Sequence, residues 1–197
     1  MFINFWKREI IIKRLEMKFQ SLTFLVYDLF YFQIKPEFPM STQTITLLDK
    51  LIIHTKEILE RTVTRNEKLF AVCELLADEV PTFDWVGFYL VAEDAENELV
   101  LGPFVGASTD HTRIPFGTGI CGQVALSHKT FVSQDVNSED NYLACSIDVQ
   151  SEIVVPIMVG DEFVAQLDID SNTKNSITEE QTEALEKICK MLSSEFK

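Results

Sequence analysis

The chain has 197 residues, 46% of them hydrophobic and 24% charged, which is enough apolar material for one packed domain plus an extension. Its formal net charge of −14 argues against a nucleic-acid ligand, since phosphate binding needs clustered Lys and Arg. Four cysteines, Cys73, Cys121, Cys145 and Cys189, form no C-x-x-C pair, so no zinc knuckle is expected, and free thiols fit a reducing cytoplasm.

Residues 1–39 differ from the rest. They hold six Lys and Arg against four acids, net +2, which leaves −16 for the remainder. Their apolar stretch "LTFLVYDLFYF" is broken by Asp28, is too short to span a bilayer and is followed by no small-x-small cleavage site. Neither a signal peptide nor stable membrane insertion is therefore expected. Met40 precedes Ser-Thr-Gln-Thr, a helix-capping stretch, and a regular pattern begins there. The expectation is an extension over 1–39, upstream of the native start at Met40, and one domain over 40–197.

Residues 43–60 place Ile45, Leu47, Leu48, Leu51, Ile52, Ile58 and Leu59 at helical spacing. Residues 66–80 do so with Leu69, Phe70, Cys73, Leu76, Ala77 and Val80, and Pro81 stops that helix. "WVGFYLVAE" and "LVLGPFVGA" read as a hairpin across "DAENE". "GTGICGQVALSHK" reads as a glycine turn entering a short helix, and "TFVSQDV" as a strand. "SEIVVPIMVGDEFVAQLDIDS" reads as a hairpin turning at Gly160-Asp161. In its second strand Phe163, Ala165, Leu167 and Ile169 alternate with Val164, Gln166, Asp168 and Asp170. "TEEQTEALEKICKMLSSEF" closes the chain as a helix capped by Thr178. Terminal helices around antiparallel strands define an α+β fold.

Cys73 and Cys189 lie on apolar helix faces and read as small buried hydrophobes. Cys121 sits between glycines near a helix start, where backbone N–H groups can lower a thiol pKa. Cys145 lies in a polar segment just before the strand that Glu152 opens. Asp168 and Asp170 share a strand face, and Glu152 on the partner strand can bring a third carboxylate to the same end of the sheet. Such acids either solvate a sheet edge, or hold a substrate ammonium and donate a proton. No histidine or fourth acid completes a metal spacing, so no metal is expected.

Seven segments occur in order over residues 84–171: "DWVGFYL", "ELVLGPFVG", "RIPFGTGICG", "VSQDV", "LAC", "SEIVVPI" and "LDIDS". In these the chain resembles the free methionine-(R)-sulfoxide reductases, a family of single GAF domains. The resemblance implies a GAF-like antiparallel sheet flanked by the terminal helices. It implies reduction of free L-methionine-(R)-S-oxide through a cysteine sulfenic acid, without a cofactor and with external thioredoxin as reductant. By the same resemblance Cys145 is the catalytic cysteine. Glu152, Asp168 and Asp170 are the carboxylates that hold the substrate and help the oxygen leave. Trp85 and Tyr89 line the substrate pocket, and Cys121 is a resolving or accessory thiol. A homodimer is expected. In one respect the chain departs from the family: His111 stands where the recycling cysteine is common. The alternative is accordingly a GAF ligand-binding or sensor module with impaired turnover.

Overall fold

A computed structural model describes residues 46–139 and 148–197. The extension, the Met40 start, the Ser41–Thr44 capping stretch and Cys145 lie outside the described residues. In chain order the elements are helices α1 (Leu47–Leu59) and α2 (Arg65–Glu79), strands β1 (Trp85–Val91), β2 (Glu98–Val105) and β3 (Arg113–Pro115), helix α3 (Gly119–Ser127), strand β4 (Phe131–Ser133), a 3-10 turn (Val136–Ser138), strands β5 (Ser151–Val159) and β6 (Glu162–Ser171), helix α4 (Glu179–Leu192) and a closing 3-10 turn (Ser193–Phe196).

Among the described residues, three of the four helices start on the same local device. Thr46, Thr64 and Thr178 each accept a hydrogen bond from the backbone N–H three residues on, and the side-chain oxygens of Asp49, Glu67 and Gln181 each accept one from the threonine's N–H. These reciprocal caps satisfy donors that a helix end leaves open. For α1 the cap is Thr46, later than the Ser-Thr-Gln-Thr expected from sequence. Val80 takes an extended conformation (φ −119°, ψ 96°), as a residue before proline should, and ends α2 as expected.

The six strands form one antiparallel sheet in the order β3-β2-β1-β6-β5-β4. Helices α1, α2 and α4 bury their apolar stripes with one sheet face, in a core that includes Leu51, Leu69, Val72, Leu76, Phe88, Ile153, Leu167 and Ile188. The other face carries a second cluster, in which Ile120, Val124 and Ala125 of α3 pack with Trp85, Tyr89, Leu99 and Val154.

Four expectations change. Leu47 and Phe70, placed on apolar stripes by spacing, are exposed at 40% and 42%. The short strand β3, unread in the sequence, pairs Arg113–Pro115 with Glu98–Val100. The strand read over "TFVSQDV" shrinks to three residues, since Asp135 caps the 3-10 turn instead. Phe163 does not share a face with Ala165, Leu167 and Ile169. Ile157 pairs with Ala165 but Met158 with Phe163, so Val164 is an extra residue that turns Phe163 into the second cluster.

Candidate active site

The sheet register assembles the acids. Trp85, Asp170, Glu152 and Ser133 are opposed in one row across β1, β6, β5 and β4. Gly87, Asp168, Val154 and Phe131 form the second row on the same face, and Tyr89, Gln166 and Pro156 the third. Glu152, Asp168, Asp170 and Gln166 are all at most 3% exposed. The register thus brings the three expected carboxylates together inside the protein, not at a solvated edge.

Trp85 and Tyr89 flank them on β1, with ring centroids 6.3 Å apart. The indole stacks on Phe104 at 5.4 Å and donates its N–H to the Ala107 carbonyl at 3.1 Å. Gly87 lets the indole lie flat across β1, since a Cβ there would fall inside the Trp85 ring. The Tyr89 hydroxyl donates to the His111 carbonyl at 2.8 Å, so the backbone of this loop residue holds the ring.

Helix α3 closes this face from above. At Gly122 a Cβ would stand 2.6 Å from the Pro115 carbonyl oxygen, so the helix packs flush against the turn after β3. That close approach seats Cys121, whose thiol donates to Asp168 Oδ2 at 3.3 Å. Cys73 and Cys189 lie in the opposite core, where burial pushes both thiols far above the ordinary range. The expectation that these two are structural holds.

Burial dominates the electrostatics. It raises the Asp168 carboxyl to about 7, with the Cys121 hydrogen bond pulling the other way. Burial also raises Glu152 and Asp170 well above the carboxylate range. The charges acting on Glu152 are Asp168, Asp170 and Glu139, and those acting on Asp170 are Asp168 and Asp84. Every one is another acid. Glu139, which accepts from Ser133 Oγ at 2.8 Å, and Asp84, which accepts from the Asn172 N–H at 2.8 Å, were not singled out in the sequence.

Gln166 was also passed over, although the alternation of β6 already placed it on the face of Asp168 and Asp170. Its side-chain nitrogen and oxygen are both buried without a hydrogen-bond partner, as are Asp168 Oδ1 and Asp170 Oδ1. Buried polar groups seldom go unpaired, and each costs about 1–3 kcal/mol when they do. A polar ligand on this face would satisfy them. The sequence reading expected no metal. Yet Cys121, Glu152 and Asp168 each offer a donor atom, all within 4.8 Å of one another. No helix among the described residues is long and apolar enough to cross a membrane.

Fold and site together define a sheet domain with a buried acidic cluster flanked by two aromatic rings and a thiol. The GAF domain model matches residues 56–196. Free methionine-R-sulfoxide reductase of Escherichia coli (strain K12) is 36% identical over 118 residues, 60% of this chain and 69% of that one. The crystal structure of free methionine-R-sulfoxide reductase from Neisseria meningitidis in complex with its substrate superimposes with a TM-score of 0.71 at 33% identity, covering 82% of this chain and 95% of that one. Protein YtsP of Bacillus subtilis (strain 168) is 44% identical over 105 residues, and the match spans 53% of this chain and 63% of YtsP. The chain belongs to the GAF domain family, in the group of the free methionine-R-sulfoxide reductases.

Proposed function

We propose that the protein reduces free L-methionine-(R)-S-oxide to methionine, with Cys145 as the attacking thiol. The observation that carries this reading is the set of carboxylates Glu152, Asp168 and Asp170, raised chiefly by burial, on one sheet face with Trp85, Tyr89 and Cys121.

A sulfoxide oxygen is a poor leaving group until protonated. Asp168, raised to about 7, still holds a proton in a large fraction of molecules at neutral pH, and Glu152 and Asp170 are raised as well. Protonated acids in this set hand a proton to the oxygen, while an ionised partner takes the substrate ammonium. That ammonium also offsets the repulsion that clustered carboxylates exert on a thiolate. The aromatic walls hold the apolar methyl-sulfur end. The oxygen passes to the Cys145 sulfur, giving a sulfenic acid and the thioether methionine. A second thiol then condenses with the sulfenic acid, releasing the oxygen as water and leaving a disulfide. Cys121 is the resolving thiol in this scheme, and thioredoxin reduces the disulfide. In this reading the protein works in a reducing cytoplasm and as a homodimer.

A second reading is favoured by His111, which brings no thiol to the position of the common recycling cysteine. In it the pocket binds methionine sulfoxide but turns over poorly, as a GAF ligand-binding module. One assay decides. Reduced protein is given the resolved R and S sulfoxides, first alone and then with a thioredoxin system. The reductase forms about one methionine per chain from the R isomer alone and cycles once thioredoxin is present. Single turnover without cycling selects the second reading, and no methionine from the R isomer removes the first. Loss of cycling in Cys121→Ser assigns that thiol, whereas wild-type-like activity in Cys145→Ser overturns the nucleophile.

A further inference from the structure

We propose that Cys121, Glu152 and Asp168 form a reversible site for a thiophilic divalent cation of the Zn2+ class, and that such a cation competes with the sulfoxide for the pocket. The competition rests on the reductase reading; the cation site does not.

Three donor atoms, one sulfur and two carboxylate oxygens, converge from α3, β5 and β6 within 4.8 Å of one another, and all three residues are buried. Zn–S and Zn–O bonds of about 2.3 and 2.1 Å place tetrahedral ligand atoms about 3.5 Å apart. The Cys121 Sγ to Asp168 Oδ2 distance is already 3.3 Å, so small side-chain rotations complete the triangle. Three protein ligands leave a fourth position open for water. The donor set selects the cation class. Mg2+ and Ca2+ take six or more oxygens, whereas a thiolate favours a softer ion.

A second observation points the same way. Asp168 Oδ1 and Asp170 Oδ1 are buried and unpartnered, and so are both amide atoms of Gln166 in the next row. Three buried carboxyl groups, Glu152, Asp168 and Asp170, share this face, and once ionised they carry negative charge. A substrate ammonium balances one of those charges and a divalent cation balances two. Binding displaces the Cys121 proton to solvent and changes no oxidation state. Cys73 and Cys189 pack in the other core, where burial holds their thiols protonated, so neither competes for the ion.

Co2+ is a suitable probe because thiolate ligation gives a sulfur-to-cobalt charge-transfer band. Full-length reduced protein is titrated with Co2+ in the absence of sulfoxide. The band should appear in the wild type and in Cys145→Ser and should vanish in Cys121→Ser. Glu152→Gln should weaken binding about ten-fold or more. Zn2+ should displace the Co2+, and in Cys145→Ser, where no turnover can oxidise Cys121, methionine-R-sulfoxide should bleach the band. No band in the wild type overturns the site without reliance on any variant's folding. A band that survives Cys121→Ser, or disappears in Cys145→Ser, overturns the ligand set. A band unchanged by saturating sulfoxide overturns the competition. Co2+ binding by protein that forms no methionine when metal-free leaves the cation site standing and removes the reductase reading. Turnover without Co2+ binding does the reverse.

Discussion

The two faces of the sheet are two different interiors. One meets α1, α2 and α4 through side chains such as Phe88, Ile153, Ile157, Leu167 and Ile169, and its demand is volume. The other meets the nine-residue helix α3 and seats Glu152, Gln166, Asp168 and Asp170 among Trp85, Tyr89 and Val154. Both faces bury cysteine. In the apolar core Cys73 Sγ donates to the Pro103 carbonyl at 3.6 Å and Cys189 Sγ to the Val155 carbonyl at 3.9 Å. On the acidic face Cys121 meets a carboxyl. The sheet face that its helix covers separates a thiol held among apolar side chains from one held beside a carboxyl.

Substitutions should separate the two faces, and the largest effect belongs to the acidic one. Glu152→Gln should lower kcat/KM for methionine-R-sulfoxide by about 10²-fold or more, as loss of a general acid does. Its melting temperature at pH 7 should not fall, because the neutral amide replaces a buried carboxyl whose ionisation burial opposes. Leu167→Ala should do the opposite. A cavity there should cost about 2–5 kcal/mol in denaturant unfolding, while kcat per folded molecule stays close to the wild-type value. Equal damage to activity and stability in both variants would erase the distinction between the faces.

The pH dependence of stability follows from the raised acids. A carboxyl with a folded pKa above its unfolded one keeps its proton in the native state over the window between the two. The folded state then binds more protons, so this face loses stability as pH rises from about 4 toward 7. Melting temperature should accordingly fall between pH 5 and pH 8, and Asp168→Asn should flatten the slope. A wild-type melting temperature that climbs over that range would contradict the burial of these groups.

Gln166→Met probes the unmet amide. It should raise stability by about 1–2 kcal/mol, since two unpaired buried atoms disappear, and should raise KM for the sulfoxide. A destabilised variant with unchanged KM would make Gln166 an ordinary core residue. The smallest effect is expected at Cys189→Ala, with activity unchanged and a stability loss of about 1 kcal/mol in the same unfolding assay.

Local signals carried most of the fold. The Gly160-Asp161 hairpin, Pro81 after α2 and the Thr178 cap each depend on residues within a few positions of one another, and each is visible in the chain. The α+β class with flanking helices followed from them, and the GAF resemblance agreed with the architecture found. What escaped depends on partners far along the sequence or on a single inserted residue. β3 exists only because β2 offers it an edge. The Val164 bulge moves Phe163 to the other face without disturbing the apolar pattern. In the site, the convergence of Glu152, Asp168 and Asp170 was legible because one hairpin carries all three. The Cys121–Asp168 contact spans 47 positions, and no spacing rule reaches it. The influence of Glu139 on Glu152, and of Asp84 on Asp170, likewise arises only once the sheet is assembled.

That single hairpin also has a kinetic meaning. β5 and β6 zip from a two-residue loop in which Gly160 takes φ 62°, and the acids meet at the far end of the ladder, where Glu152 opposes Asp170. The last rungs therefore close against charge repulsion while the strands are still surrounded by water. If the ladder forms before α3 covers it, acid should speed the folding arm of a chevron and leave the unfolding arm less affected. The pocket would then slow the protein's own assembly most at the neutral pH where its chemistry is expected to operate.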